Sequence, residues 1–183
     1  MITLSAENGC QICNEFKQKG VTVMRLVSQE NVMRILAGYN HWWHLKQVQR
    51  EYLKPIKRTV FKEAISMLLN ENAPRSLYII GPHRTGKTAL LHQMVGSLIE
   101  QGIDPKRILY INIGHPFFSF ISPVDVYRAY LENVSPYEMS RIFYFFDDIQ
   151  LSPNQEKTIS QLKKTFPEVT IVSSGTVLPE EPD

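Results

Sequence analysis

Leu77-Tyr78-Ile79-Ile80-Gly81-Pro82-His83-Arg84-Thr85-Gly86-Lys87-Thr88 is the stretch on which the reading of this chain turns. A short apolar run, read as a buried strand, stops at a glycine. Gly81 to Thr88 then fits G-x-x-x-x-G-K-[ST] at every fixed position. Beyond it Leu90, Leu91, Met94, Val95, Leu98 and Ile99 repeat with the helical period as far as Gly102. The same eight letters can arise in a chance glycine turn. A strand before them and a periodic helix after them give the context of a phosphate-binding loop.

Each fixed position has its own physical reason. Glycines permit torsions and close approach that a side chain blocks. The loop amides then point inward as a cradle for phosphate oxygens, and the helix aims its positive end at the same place. Lys87 adds a full charge near the β- and γ-phosphates, and Thr88 offers a hydroxyl to magnesium. The whole loop, Gly81, Pro82, His83, Arg84, Thr85, Gly86, Lys87 and Thr88, is the expected nucleotide contact. Arg84 is read as solvated, with a role on phosphate as the lesser alternative.

Working outward, strands and helices alternate. Ile108 to Ile113 reads as a second strand, Val124 to Leu131 as a short helix, and Ile142 to Phe146 as a third strand. The third strand is too apolar to have a solvent face, so it belongs in the middle of a sheet. Ser152-Pro153-Asn154-Gln155 has the form of a helix start, with Ser152 as N-cap, and Val169 to Ser173 is a fourth strand. Such alternation predicts an α/β fold: a three-layer αβα core with a parallel sheet. Upstream lie a helix from Ser28 to near Gly38, the pair Trp42-Trp43, and a helix from about Thr59 to Asn70. The expected divisions are a loosely ordered lead-in over 1–27, a small helical segment over 28–72, and a P-loop core over 73–183 that is incomplete at its C-terminal end.

A P-loop needs a carboxylate at the end of a neighbouring buried strand to hold magnesium. Asp147 stands there, directly after Phe146. Asp148 follows where many such ATPases carry a glutamate that activates the attacking water. An aspartate is one methylene shorter, and a solvated loop carboxylate is its bland alternative.

Ile142 to Gln150, I-F-Y-F-F-D-D-I-Q, resembles the hydrophobic-D-E-I-Q signature of a prokaryotic group of AAA-superfamily ATPases, in which the ATPase module precedes a C-terminal domain of unknown function. Asn40-His41-Trp42-Trp43 resembles that group's N-P-W-W segment, and Gly81 to Thr88 its G-P-R-R-x-G-K-T. Arg107 to Ile111 resembles its second strand, and Ser174-Gly175-Thr176 the end of its sensor strand. The resemblance covers about residues 28 to 178. It implies the additional-strand sheet order of AAA proteins, ATP rather than GTP as ligand, and Ser174 or Thr176 as the sensor of the γ-phosphate or attacking water. His41, His83 and Asp148 depart from the pattern. The chain also stops soon after the sensor strand, before the fifth strand, lid and arginine finger usual in such enzymes. The expectation is a shortened family member or a fragment.

Composition narrows the field. With 183 residues, 43% apolar, 21% charged and a net charge of +2, the chain can bury a sizeable core. Its basic stretches, Lys54 to Arg58 and Lys163-Lys164, are short, which gives no clear nucleic-acid signal. No apolar run approaches a membrane span, and the expected location is the cytoplasm. Cys10 and Cys13 form C-x-x-C, but His41 and His44 lie too far along, with a spacing too short, for a zinc finger. Two reduced thiols are the reading. Trp42 and Trp43 are read as packing the N-terminal helices onto the sheet, with lining an adenine pocket as the lesser alternative.

Two functions stand against each other at this stage. The first is an ATP-hydrolysing AAA-type module with magnesium. The second is a non-catalytic nucleotide-binding or interaction module derived from a truncated ATPase. Its partner would be itself or a full-length relative, through an open sheet edge at Leu77 to Ile80. A small-molecule kinase, which needs an arginine-bearing lid after its core, has no room here.

Overall fold

The computed structural model describes residues 28–54, 59–70, 72–119, 121–134, 141–152 and 155–176. The expected lead-in over 1–27, with Cys10 and Cys13, lies outside them, as do residues 177–183.

Three helices come first: α1 (Gln29–Tyr39), α2 (Trp42–Leu45) and α3 (Val60–Leu69). Ser28 caps α1, its hydroxyl accepting from the Asn31 amide. The remainder alternates as β1 (Ser76–Ile80), α4 (Lys87–Glu100), β2 (Ile108–Asn112), α5 (Pro123–Asn133), β3 (Ile142–Asp147), α6 (Gln155–Thr165) and β4 (Val169–Gly175). Helix α6 begins at Gln155. Ser152, the expected cap, closes a 3-10 turn over Ile149–Leu151 instead, and Pro153 and Asn154 lie outside the described residues. Pro116–Ser119 is another 3-10 turn.

The four strands form one parallel sheet in the order β1-β4-β3-β2. Successive strand residues point to opposite faces, and every residue of β3 and β4 is buried. Both faces are therefore covered by helices, and the molecule is the α/β three-layer sandwich expected, with β3 inside the sheet. The core is heavily aromatic: Tyr110, Tyr127, Tyr130, Tyr144, Phe143, Phe145 and Phe146 are among its largest fully buried side chains. No helix among the described residues is long and apolar enough to cross a membrane.

The two ends of the sheet differ. At the β2 end, outward-facing backbone groups are satisfied by side chains rather than by a strand. The Asn40 amide donates to the Tyr110 carbonyl at 2.9 Å and accepts from the Tyr110 N–H at 2.6 Å. The indole N–H groups of Trp42 and Trp43 both donate to the Ile108 carbonyl, at 3.1 and 2.9 Å. Asn40 and Trp42 are fully buried and Trp43 nearly so, which settles the tryptophans as packing residues. At the other end β1 is only half-buried, and Ile80 is 43% exposed. Among the described residues no strand lies beyond it.

Candidate nucleotide site

The loop leaves the carboxyl end of β1, where ligands of parallel sheets bind. The Gly81 amide donates to the Gly175 carbonyl, which ties the loop's first residue to β4. A Cβ on Gly81 would stand 3.3 Å from the Thr85 hydroxyl, itself donating to the Pro82 carbonyl. Gly86, immediately before α4, has φ 84°, a left-handed conformation that glycine takes without cost. Arg84 has φ 60°.

Lys87 is buried, and its ammonium donates to the carbonyls of Gly81 and Pro82 at 2.8 and 2.9 Å. An ammonium has three donors, so these two bonds fix the loop's curvature and leave one N–H for an anion. The lysine thus brings its charge into a loop it has already shaped.

Asp147 ends β3 almost fully buried. Its Oδ2 accepts from the Thr88 hydroxyl at 2.7 Å and from the Tyr110 hydroxyl at 2.9 Å. Its Oδ1 accepts from the Ser174 hydroxyl. Hydroxyls from α4, β2 and β4 therefore converge on one carboxylate. Asp148 has φ 55°; its amide donates to Ser174 Oγ at 3.2 Å, and its Oδ1 accepts from Gln150 Nε2 at 3.1 Å. Ser174 thus touches both aspartates. Thr176 stands one residue past β4, half-buried and outside the bonds to Asp147.

Beside the loop opens a cleft of about 380 Å³, lined by His83, Arg84, Gly86, Lys87, Thr88, Ala89 and Asp148, and also by Glu51, Tyr52, Lys54 and His92. His92 links the loop residues to the upstream segment. Its Nδ1 lies 2.9 Å from the Thr88 carbonyl, and its ring packs against Tyr52 at 4.9 Å and Tyr110 at 4.7 Å. Burial holds the His92 imidazolium below the ordinary histidine range, against the opposing pull of the Thr88 carbonyl and Asp147. The Tyr110 phenol is pushed far above its usual value by burial and by Asp147, so it stays a donor.

The donor set suits a hard cation. Thr88 Oγ1, on the cleft wall, and the buried Asp147 carboxylate are candidate oxygen ligands 2.7 Å apart. Magnesium is commonly held by one or two protein oxygens plus substrate phosphates. Among the described residues there is no group of three or more His, Cys, Asp or Glu side chains placed to hold a metal by themselves. His41 Nε2 accepts from the Gln49 amide and takes no part in such a site.

A model of the AAA domain family matches residues 73–180. The chain belongs to the AAA domain family. It is also 28% identical over 88 residues to a Haemophilus influenzae protein described as "Uncharacterized protein"; the match takes in 48% of this chain and 22% of that relative, so the chain spans much less than the relative's length. Membership makes this AAA domain a nucleotide-binding P-loop module in kind.

The sequence reading named the loop and both aspartates but missed Tyr110, His92 and the Glu51–Lys54 wall. Tyr110 carries a usable signal: a hydroxyl within an apolar buried strand needs a partner, and a strand-end aspartate is the nearest class of acceptor. Glu51 to Lys54 carries none, because nothing in its own sequence places it against α4.

Proposed function

We propose that this AAA domain binds ATP with magnesium and hydrolyses it, using the energy to move itself or a partner. The observation that carries the reading is the 2.7 Å bond between Thr88 Oγ1 and Asp147 Oδ2, which brings the loop threonine and the strand-end carboxylate together across 59 residues. A chance glycine turn has no reason to place its threonine there.

In this reading the loop amides and Lys87 hold the phosphates. Magnesium supplies charge neutralisation for the γ-phosphate and is held by Thr88 and Asp147. Tyr110 and Ser174 keep the Asp147 carboxylate oriented by donating to it. Asp148 lines the cleft and orients the attacking water, its backbone positioned by Ser174. Ser174, with Thr176 as the alternative, senses the γ-phosphate.

One observation favours a second reading. The Asp148 carboxylate, already short for this role, is engaged by Gln150, which suits a module that binds nucleotide without turning it over. A phosphate-release assay with a labelled-nucleotide titration separates them. Lys87→Ala removes a charged donor and is expected to weaken ATP binding at least about tenfold. Asp147→Asn is expected to abolish turnover. Equal binding by wild type and Lys87→Ala would sink the nucleotide reading. Tight binding with no phosphate release at any protein concentration would leave the non-catalytic one.

A further inference from the structure

We propose that Asn40 is a positioning residue for the magnesium site, acting through Tyr110, so that the grip of the upstream helices on β2 and the binding of magnesium-nucleotide form one linked equilibrium. The inference rests on the nucleotide-site reading above and extends it to a residue that does not line the cleft.

A buried carboxylate is oriented by whatever fixes its partners. The Tyr110 phenol reaches Asp147 Oδ2 at 2.9 Å from two residues back along β2, because Asn112, not Tyr110, stands opposite Asp147 in the register. Residues two apart share a face of the sheet, so the phenol runs along that face and its oxygen goes where the Tyr110 backbone puts it. Among the described residues β2 is an edge strand, paired with β3 alone. Asn40 supplies the missing hold at Tyr110 itself, accepting from its N–H at 2.6 Å and donating to its carbonyl at 2.9 Å.

Asn40 has no slack of its own. It closes α1, its backbone N–H donating to the Leu36 carbonyl, and its side-chain amide donates to the same carbonyl at 2.8 Å. An asparagine amide carries two donors, and both are used. Trp42 adds to the hold: its indole N–H bonds Ile108, and its ring meets Tyr110 edge-on at 6.4 Å and 77°. A continuous run of hydrogen bonds therefore leads from the carboxyl end of α1 through Asn40, Tyr110 and Asp147 to the Thr88 hydroxyl. When Thr88 and Asp147 share a cation, they use the carboxylate orientation that this run holds. By linkage, occupancy of the site then tightens the grip of α1 on β2 by the same factor. An asparagine that only plugged the sheet edge would lower stability without regard to magnesium.

Titration calorimetry gives the ratio of ATP affinity in magnesium to that in EDTA. Wild type is expected to prefer the magnesium complex, and Asn40→Ala to lose about fivefold or more of that preference while its affinity in EDTA stays unchanged. In a Tyr110→Phe background Asn40→Ala is expected to change the ratio no further, since the link to Asp147 is already cut. Hydrogen exchange of the α1 and α2 backbone is the reciprocal measurement and needs no change at Asn40. At matched occupancy, Mg-ATP is expected to slow it about fivefold or more relative to ATP in EDTA in wild type, with no such slowing over α6, and to make no difference in Tyr110→Phe. The inference is overturned, and the phosphate site left standing, by an unchanged ratio in folded Asn40→Ala. Exchange in α1 and α2 that ignores magnesium in wild type, or that slows equally in Tyr110→Phe, does the same, as does a wild type that binds ATP equally with and without magnesium. A wild type that binds no ATP under either condition overturns both.

Discussion

Three hydroxyls from three elements meet on the Asp147 carboxylate, and the bonds are unequal in what their loss would do. Thr88 lines the cleft, whereas Ser174 and Tyr110 are both buried. Tyr110→Phe is expected to cost about 1–3 kcal/mol, because a buried acceptor loses a donor that water cannot replace; urea unfolding monitored by circular dichroism measures it. The same variant is expected to weaken magnesium-dependent ATP binding more than metal-free binding, since Asp147 loses a restraint on its orientation. His41 makes a pH prediction. Burial, and then the nearby His92, hold its imidazolium below the ordinary value of 6.5, with Glu51 opposing. The unfolded chain therefore takes up a proton at a pH where the folded chain does not, and stability is present above that value and lost as pH falls through it. Protonation also ends the acceptance of the Gln49 amide by Nε2. Melting temperature is expected to drop between about pH 7.5 and 5.5 in wild type, and less steeply in His41→Gln, which keeps an acceptor but cannot titrate. Parallel slopes for the two proteins would show that His41 is not responsible.

At the scale of the element, the β2 edge shows what the sequence could and could not disclose. The strands were legible because each is an apolar run bounded by turn residues, and β3 was legible as internal because none of its residues is suited to solvent. The α4 helix was legible from its period. The segment Asn40 to Trp43 was conspicuous but not interpretable: its bonds reach Ile108 and Tyr110 through single side chains 65 to 70 residues away, and such contacts leave no periodic trace. The Glu51–Lys54 wall was silent for the same reason. In the structure Asn40 does the work of a neighbouring strand, offering one acceptor and one donor to a single residue of the edge. Asn40→Ala would orphan both Tyr110 backbone groups in a fully buried setting, at an expected cost of about 2–4 kcal/mol. Chemical denaturation is the measurement, and a loss below about 0.5 kcal/mol would mean that water reaches this edge.

For the whole molecule, the contrast between the sheet's ends sets its solution behaviour. β2 is closed by side chains, whereas β1 has neither lysine nor proline within Ser76–Ile80 to discourage pairing, and ends on an exposed isoleucine. Without nucleotide the protein is expected to self-associate on slow heating, read as light scattering. Mg-ATP at a hundredfold excess over Kd is expected to stabilise it by about 2.7 kcal/mol and to delay scattering, while Lys87→Ala gains nothing. Identical melting and no scattering in all four samples would show that this edge is protected. The closed end has a different consequence, one of spectroscopy. The only two tryptophans in the chain are the two whose indoles grip Ile108. Tryptophan emission of this protein, excited at the red edge where tyrosine does not absorb, therefore reports a single event, the docking of the N-terminal segment on the sheet. Their burial in the same core as β2 and β3 predicts that the emission shift and the far-ultraviolet signal change together in one cooperative transition. Emission that moves to the red while ellipticity holds would reveal a segment that undocks by itself.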